Sequence, residues 1–218
     1  SVKTVTGQNL DWFFDQWLFK PGHPVFEVRW EWNDAKKLVT MRITQVQDFT
    51  RGIPVFRVPV AIAIVTPAGK TVGNVWIREK EETFEFAVES RPLLVRFDEG
   101  NVLLKEASFP KETDELLYQL RNDDVIGRMS AAAELLRFKG DPRVFEGLAA
   151  AAQSDPFWAV RRSAIETLGK LGEPSSAAVL QKTCLDVHSS VRTASLAALG
   201  DSKDRSLIEW YKERFGKD

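Results

Sequence analysis

Residues 9–24 read NLDWFFDQWLFKPGHP, a strongly apolar helix pattern that stops at a break of proline and glycine. One side of the predicted helix carries apolar residues at the i, i+3, i+4, i+7 and i+8 spacing: Leu10, Phe13, Phe14, Trp17 and Leu18. Trp12 and Phe19 lie on the other side, so the helix requires burial on two faces. The preceding residues, SVKTVTGQN, contain nothing to cover the second face. We therefore expect a further domain upstream of this helix.

The segment after the break alternates apolar and polar residues as half-buried β-strands do. In FEVRWEW, residues 26–32, the apolar side chains fall on one face and the charged ones on the other. Similar runs follow at six further places: 37–47, 55–65, 71–78, 83–88, 92–97 and 102–106. About seven short strands separated by turn-forming residues predict an immunoglobulin-like β-sandwich. Pro54 and Pro59 predict that its third strand is an edge strand or is bulged.

The composition of the chain changes near residues 109–111. Five of the seven tryptophans and ten of the fourteen phenylalanines lie before this point, and alanine and leucine dominate after it. We therefore predict three segments: a terminal helix of another domain at 1–22, the β-sandwich at 23–109, and a helical-repeat domain at 110–218. The aromatic rows of the sandwich are predicted to be core rather than a ligand platform: Trp30, Trp32, Phe84 and Phe86.

The last part of the chain repeats itself. VIGRMSAAAELLRFKGDP from Val125 and FWAVRRSAIETLGKLGEP from Phe157 align without gaps at an offset of 32 residues. A third copy, VRTASLAALG from Val191, overlays the second at an offset of 31. The pattern V-R-x-x-A-x-x-x-L-G resembles HEAT-like repeats, which stack helix pairs into a short α-solenoid. Thr113 is predicted to N-cap a linking helix that runs to about Leu120.

Charge and composition exclude several classes of function. The chain carries 30 basic and 31 acidic residues, evenly distributed, so no electrostatic case exists for nucleic acid or an anionic membrane as partner. No apolar run is long enough to span a bilayer, and the sequence does not start with a signal core; we expect a soluble chain whose compartment stays open. One cysteine excludes an internal disulfide.

No set of residues in the sequence predicts catalysis, a cofactor or a metal. His23 and His188 are the only histidines, they lie in different predicted domains, and no third ligand of the kind that zinc requires accompanies either. Cys184 lies on an amphipathic helix without a nearby histidine, where a thiol is usually a small buried hydrophobe. The site residues of this chain are therefore predicted to be none for catalysis, cofactor and metal.

Three arginines form the one polar group in the sequence that is a candidate for binding a ligand. Arg161, Arg162 and Arg192 recur at the start of successive predicted helices. In a structural interpretation they pair with an acid such as Asp155 or Asp186, or with carbonyls of the neighbouring repeat. In a functional interpretation they receive a peptide carboxylate. We favour the structural one, because repetition of the residue in each copy is what stacking requires.

Two stretches resemble zinc aminopeptidases of the aminopeptidase N type. The pattern L-x-W-F-F-x-Q-W-L at 10–18, P-G-H-P at 21–24 and F-E-V-x-W-x-W at 26–32 resembles the junction where that family's catalytic domain ends and a β-sandwich begins. RPLLVRFDEGNVLLKE, residues 91–106, is similar to the end of the family's sandwich. The resemblance implies that residues 1–22 are the terminal helix of a catalytic domain outside this chain.

The resemblance implies a function for a parent protein rather than for this chain alone. The family's H-E-x-x-H and G-x-M-E-N motifs are absent, so zinc is expected only in the parent. The chain is then a non-catalytic C-terminal part, in which the sandwich is a spacer and the solenoid caps the cleft and limits which peptides enter. The opening helix is expected to contact the catalytic domain, or to self-associate in the isolated chain, through four residues: Trp12, Phe13, Trp17 and Phe19.

An alternative function is left open by the sequence. A free-standing adaptor or scaffold, whose solenoid binds a protein partner, fits the same repeats. The aminopeptidase family also includes members that have lost catalysis, so a parent of this type is not necessarily an active enzyme. We favour the peptidase interpretation, because an opening helix that is apolar on two faces is poorly suited to a self-contained adaptor.

Overall fold

A computed structural model describes residues 7, 9–204 and 207–215 of the 218-residue chain. The chain divides into two compact units, Ser1–Lys111 and Glu112–Asp218. The first unit contains two β-sheets and the second is built of helices. This order of β structure followed by α structure agrees with the change in composition. The finer division into residues 1–22 and 23–109 stays a prediction.

Seven strands lie within the described part of the first unit. They are β1 (Val25–Asn33), β2 (Leu38–Gln45), β3 (Val58–Thr66), β4 (Gly69–Ile77), β5 (Glu81–Ala87), β6 (Leu94–Phe97) and β7 (Glu106–Ser108). One sheet has the strand order β5-β2-β1-β7 and the other β4-β3-β6. Neighbouring strands are antiparallel except β1 and β7, which pair in parallel.

Apolar side chains from both sheets share one buried cluster. In β1 the alternation places Phe26 and Val28 completely inside and leaves Glu27 and Arg29 exposed. Phe26 contacts Phe97 of the other sheet, with ring centroids 5.2 Å apart. Burying one side chain of this size contributes about 1.5–3 kcal/mol, so this cluster is the main source of stability in the unit. The aromatic residues predicted as core pack against it: Trp30, Trp32, Phe84 and Phe86.

The third strand lies in the centre of its sheet, so the prediction of an edge strand is wrong. β3 pairs with β4 along its whole length and with β6 only over residues 62–65. Pro59 lies outside that stretch, and its missing N–H therefore costs no hydrogen bond to β6. Pro54 precedes the strand, where no ladder bond is required.

The seventh strand begins at Glu106, not at Val102 as predicted. The buried Asp98, with a φ of 58°, accepts hydrogen bonds from the main-chain N–H groups of Val102 at 3.2 Å and Leu103 at 3.0 Å. It also accepts one from the side chain of Lys105. These bonds hold the chain in a loop where its apolar run indicates a strand, and Val102 is left 80% exposed.

The opening apolar segment is not the regular amphipathic helix that its spacing predicts. It forms one α-helical turn, α1 (Asp11–Phe14), continued by a π-helical turn at Asp15–Phe19. The wider π turn changes which residues point inward. As a result Gln16 is buried, whereas Leu18 is 66% and Phe19 78% exposed.

The second unit contains seven α-helices in its described part. They are α2 (Thr113–Asn122), α3 (Val125–Glu134), α4 (Pro142–Ser154), α5 (Trp158–Leu171), α6 (Ser176–Thr183), α7 (Ser189–Asp201) and α8 (Ile208–Phe215). A 3-10 turn at Leu135–Phe138 continues α3. The N-cap of α2 is Glu112 and not Thr113, which is the first helical residue.

The helices begin and end at residues suited to these positions. The carboxylate of Asp124 accepts from the N–H of Gly127 at 2.7 Å and caps α3. Gly172, with a φ of 65°, adopts the left-handed conformation that ends α5. A Cβ added to Gly169 would lie 2.8 Å from the Cβ of Ala198, so α5 and α7 approach closely there. These short contacts stack successive helix pairs on one buried cluster.

Candidate functional site

An arginine is the fourth residue of α3, of α5 and of α7: Arg128, Arg161 and Arg192. Nε and Nη2 of Arg128 donate to the carboxylate of Asp155 at 2.7 and 3.0 Å. The same two atoms of Arg161 donate to the carboxylate of Asp186 at 2.7 and 2.8 Å. In both cases the arginine lies on the first helix of a helix pair, and the aspartate comes just after the second helix of that pair. We call each pair a rung and the series the arginine ladder; a rung joins one helix pair to the turn that opens the next.

The third nitrogen of each guanidinium, Nη1, donates to a main-chain carbonyl of the turn before its own helix. The distances are 2.8 Å from Arg128 to Asp123, 2.9 Å from Arg161 to Asp155 and 2.9 Å from Arg192 to Asp186. The side chains of Arg128 and Arg161 are only 15% and 11% exposed, whereas Arg192 is exposed. The first two arginines are therefore structural parts of the repeat junctions.

The aspartates of the ladder also accept a hydrogen bond from the N-cap residue of the helix that follows each of them. Oδ1 of Asp155 accepts from the N–H of Phe157 at 2.9 Å, and Oδ1 of Asp186 from that of His188 at 2.8 Å. The hydrogen bond from Arg161 lowers the pKa of Asp186 below its ordinary value of 3.8, and the bond from His188 acts in the same direction. The same pair raises the pKa of Arg161, so both groups are ionised at neutral pH.

The three arginines predicted as a peptide contact do not form one cluster. The donors of Arg161 are engaged at the repeat junction, as the structural interpretation expected with Asp186 as partner. Nε of Arg162 instead donates along its own helix to Glu166 at 2.7 Å. Arg192 is exposed at a third place. A peptide-contact role accordingly stays a prediction, and Arg162 and Arg192 are the members that a ligand can reach.

Arg162 faces a shallow groove of about 580 Å³ between α5 and α7. The groove mixes charges of both signs with small residues, among them Arg162, Glu166, Gly169, Lys170, Ala197 and Asp201. Opposite charges in one open groove partly cancel, so its electrostatics favour neither an anionic nor a cationic ligand.

Sequence reasoning missed the first arginine of the ladder. The ungapped offset of 32 residues places Met129, not Arg128, opposite Arg161. Counting from the helix start removes this error, because both arginines are the fourth residue of their helices. The signal was therefore present in the sequence but displaced by one residue.

The residues that the structure describes do not form a zinc site. Within residues 7, 9–204 and 207–215, no three His, Cys, Asp or Glu side chains lie close enough to hold a metal ion. In the first unit, Nε2 of His23 lies 2.9 Å from Oε1 of Glu106. In the second, His188 stacks on Trp158 with ring centroids 4.2 Å apart. Cys184 is buried in the helical core, as predicted.

The opening segment provides a second candidate surface, on the first unit. Of the four residues predicted to contact another domain, Trp12 packs on Trp76 and Trp17 on Phe56, with ring centroids 5.7 and 5.0 Å apart. Three further apolar residues of this segment are exposed: Phe13 to 42%, Leu18 to 66% and Phe19 to 78%. We call these three residues the exposed apolar face.

Two arginines that form no ion pair with any described residue lie beside the tryptophans of this surface. The guanidinium of Arg57 lies 5.3 Å from the ring centroid of Trp12 and 5.1 Å from that of Trp76. Arg78, which directly follows the strand of Trp76, lies 5.6 Å from the centroid of that ring. Tryptophan and arginine are enriched at the centres of protein interfaces, so the composition of this surface is typical of a protein contact.

None of the helices within residues 9–204 and 207–215 has both the length and the apolar composition that crossing a bilayer requires.

Comparison with known sequence families finds a match within the helical unit. Residues 113–200 match a sequence model of HEAT repeats. This match agrees with the repeat pattern read from the sequence. The chain matches none of the curated protein sequences.

Among solved structures, the chain is similar to aminopeptidase A of Legionella pneumophila, whose crystal structure contains aspartic acid. The TM-score is 0.67 at 14% sequence identity, and the match covers 100% of this chain and 32% of that chain. Human deoxyhypusine hydroxylase, solved with glycerol, is 24% identical over 41% of this chain and 31% of its own, with a TM-score of 0.38 that carries no argument. The chain therefore has an aminopeptidase-like fold and spans about a third of the length of the Legionella enzyme.

Proposed function

We propose that this chain is the non-catalytic C-terminal part of a zinc aminopeptidase of the aminopeptidase N type. The observation that carries the proposal is the likeness of the entire chain, both units included, to one third of the Legionella aminopeptidase. The sequence pattern of residues 10–32 supports the same family. In this proposal the first unit is an immunoglobulin-like β-sandwich that acts as a spacer. The helical unit is a short HEAT-like solenoid that caps the cleft and limits which peptides enter.

The exposed apolar face is the contact with the catalytic domain in this proposal. Burial of a fully exposed apolar side chain of this size contributes about 1.5–3 kcal/mol, so Phe13, Leu18 and Phe19 together provide a strong drive for contact. Trp12 and Trp17 hold the segment in position for this contact, because they pack on Trp76 and Phe56 of the first unit. In the isolated chain the same face promotes self-association.

Zinc and the chemistry of peptide hydrolysis belong to the catalytic domain in this proposal. The side chains in the described part of the chain contain no three-ligand set, and in this proposal the chain acts on the peptide by binding and exclusion. Arg162 and Arg192 are the exposed members of the predicted peptide contact, and a peptide carboxylate is their expected ligand.

A second candidate function is a protein-binding adaptor. It is favoured by apolar side chains that stand in solvent at or beside the start of α3, α5 and α7: Ile126, Phe157 and Val187. One such residue in each repeat forms a row that suits a protein partner.

The gene sequence upstream of the Ser1 codon distinguishes the two functions. An in-frame H-E-x-x-H followed by a downstream glutamate supports the peptidase, and a start codon directly before Ser1 supports the adaptor. The cap role is then tested on the longest natural product by deleting Glu112–Asp218, which is a compact unit. We expect unchanged hydrolysis of aminoacyl anilides but faster hydrolysis of long or folded peptides. An unchanged dependence on peptide length would contradict the cap.

A further inference from the structure

Arg57 and Arg78 form a pair of like charges on the first unit, beside the opening segment. Strand β3 pairs with β4 in a register that continues to these two residues, so they lie opposite each other just beyond the ends of both strands. Both residues are exposed. Like charges directly opposite each other on neighbouring strands repel, so the pair is unfavourable until an acid neutralises it.

A second cross-strand pair of arginines in the same unit is neutralised within the chain. Arg29 of β1 lies opposite Arg42 of β2. Nη2 of Arg42 donates to the carboxylate of Glu81 on β5 at 2.7 Å. In contrast, no carboxylate of the described residues pairs with Arg57 or Arg78. The residues of this sequence before α1 include neither aspartate nor glutamate, so the acid that the pair requires does not come from there.

The guanidinium of Arg57 is held in a fixed position with its hydrogen-bond donors free. It lies in the corner between Trp12 and Trp76, whose rings are 5.7 Å apart and inclined at 75°, and it is close to both ring centroids. No described residue accepts a hydrogen bond from the side chain of Arg57 or Arg78. Stacking on aromatic rings orients a guanidinium and leaves its planar N–H edge for an acceptor. We call Arg57, Arg78 and the two tryptophans the arginine–tryptophan site.

This site is continuous with the exposed apolar face. Phe13 of that face contacts Trp12 of the site, with ring centroids 5.9 Å apart. One partner that covers Phe13 therefore also reaches the two arginines. An apolar patch beside unneutralised charges is complementary to a surface that carries apolar side chains next to acidic ones.

We propose that Arg57 and Arg78 bind acidic side chains of the catalytic domain, and this inference rests on the proposed function. About two thirds of the Legionella enzyme lies outside the match with this chain, and the corresponding part of the parent protein supplies the acids. The exposed apolar face contributes most of the affinity of this contact. The two arginines fix its orientation and make it sensitive to salt.

Carboxylates suit the arginine–tryptophan site better than the phosphates of a nucleic acid or a membrane. Those polyanions require a wide basic surface, whereas this chain has 30 basic and 31 acidic residues, evenly distributed. The two arginines are bordered by aromatic and apolar side chains, which is typical of a protein contact. A guanidinium binds a carboxylate through two parallel N–H bonds, so the ligand class is an aspartate or glutamate side chain.

The first test identifies the acids by chemical coupling in the longest natural product. Arg57→Lys and Arg78→Lys, made separately, place an amine where each guanidinium lies. A water-soluble carbodiimide condenses an amine with a carboxylate in contact with it and is itself converted to a urea. We expect mass spectrometry of the digested protein to find residue 57 or 78 linked to an aspartate or glutamate encoded upstream of Ser1.

The other arginine pair provides both controls for the coupling. Arg42→Lys is the positive control, because Arg42 contacts Glu81 and the new amine should be linked to that residue. Arg29→Lys is the negative control, because Arg29 is equally exposed but lies on the other sheet, and it should give no link to an upstream acid.

Amide hydrogen exchange gives a second measurement that needs no coupling. The N–H groups of Phe13 and Phe14 donate to the carbonyl of Leu10, so their exchange reports the opening of α1. Arg57→Gln combined with Arg78→Gln should accelerate this exchange about five- to tenfold more in the longest natural product than in the 218-residue chain. The comparison removes the effect of the lost contacts with the tryptophans, which is the same in both proteins.

Three results would overturn the acidic contact: a link only to an acid within residues 1–218, a link to a second copy, or no link while Arg42→Lys couples to Glu81. Equal acceleration of exchange in the two proteins would overturn it as well. Failure of the proposed function is distinguishable, since an upstream sequence without H-E-x-x-H contradicts the peptidase itself. A missing link in a protein that carries the motif and hydrolyses aminoacyl anilides contradicts only the acidic contact, and a start codon directly before Ser1 contradicts both.

Discussion

The side-chain amide of Gln16 pairs with the main chain of Arg57 through two hydrogen bonds. Nε2 of Gln16 donates to the carbonyl of Arg57 at 2.8 Å, and the N–H of Arg57 donates to Oε1 of Gln16 at 2.9 Å. A primary amide carries the same donor and acceptor pair as a peptide group, so Gln16 satisfies the main chain just before β3. The opening segment is therefore fixed to the first unit by a polar anchor and not by apolar packing alone.

Replacing this anchor should destabilise the first unit. Gln16→Leu keeps the size of the side chain but leaves both main-chain groups of Arg57 without their partner. We expect a loss of about 1–3 kcal/mol in the free energy of unfolding, measured with urea. The neighbouring Asp15→Asn is the control, because Asp15 is exposed and should change stability by less than about 0.5 kcal/mol. Equal stability of the two variants would contradict the anchor.

The exposed apolar face should matter for association and not for folding. Leu18→Ser combined with Phe19→Ser is expected to change the free energy of unfolding by less than about 0.5 kcal/mol. The same variant should reduce any dimer seen by sedimentation velocity. Trp17→Ser is the contrasting change, since Trp17 packs on Phe56, and it should cost about 2–4 kcal/mol. If the serine pair unfolds the first unit, these residues belong to its core and not to a contact surface.

The rung of Arg161 and Asp186 should make the helical unit sensitive to acid. The folded-state pKa of Asp186 is lowered, so the stability it contributes is complete above its ordinary pKa of 3.8 and is lost as the pH falls through the lower folded value. At pH 6, Asp186→Asn should cost about 1–3 kcal/mol relative to the original chain, measured by urea unfolding. That difference should shrink as the pH falls below about 4, where the unfolded chain takes up the proton first, and should be lost below the lowered folded-state pKa.

The control for this pH dependence is Asp201→Asn. Asp201 is exposed, lies near the end of the same unit, and forms no ion pair within the described residues. Its replacement should leave stability unchanged across the same pH range. A cost of Asp186→Asn that stays constant from pH 6 to strongly acidic solution would show that the ionised carboxylate is not what the rung requires.

The isolated chain should bind no stoichiometric zinc and release no amino acids from peptides. The reason is the lack of a three-ligand set in the described residues. Metal analysis after dialysis against a weak chelator measures the first expectation, and an assay with aminoacyl anilides the second. One zinc per chain after dialysis would contradict the assignment of the metal to another domain.

The two units should differ in local stability. Three helix pairs are close to the minimum for a repeat array, whereas the first unit has a core rich in aromatic side chains. We expect α8, at the end of the array, to show the fastest amide exchange of all helices in the second unit. Uniform protection across both units would contradict this expectation.

Sequence reasoning predicted the elements whose local pattern agrees with their environment. The burial of β1 follows the alternation in its sequence, because one face of the strand is buried and the other is exposed. The helical repeats were predictable because they follow a fixed period. The π turn around Gln16 was not predictable in this way, since its partner Arg57 lies 41 residues away. The loop held by Asp98 was missed for a related reason. Its residues 102–104 form a short apolar run of the kind that strands contain, and only the hydrogen bonds to one buried carboxylate decide otherwise.

The candidate site, too, was predictable where a local pattern decides and not where distant contacts do. Recurrence of arginine indicated a repeat contact, and the structure pairs Arg161 with Asp186 as the structural interpretation expected. The burial that separates Arg161 from the exposed Arg192 is a property of stacking, which no single repeat encodes. For this reason the sequence grouped three arginines that have different surroundings.

The double role of the ladder aspartates limits where this chain accepts inserted sequence. The carboxylate of Asp155 binds an arginine from the preceding helix pair and accepts from the N–H of Phe157 just before the next helix, so extra residues at 155–157 would break this turn. Gly140 and Gly172 lie between the two helices of a pair, and both have open space where a side chain would begin. Foreign loops or peptide tags should therefore be tolerated at these two glycine turns and rejected at the repeat junctions, although both places look like ordinary helix connections.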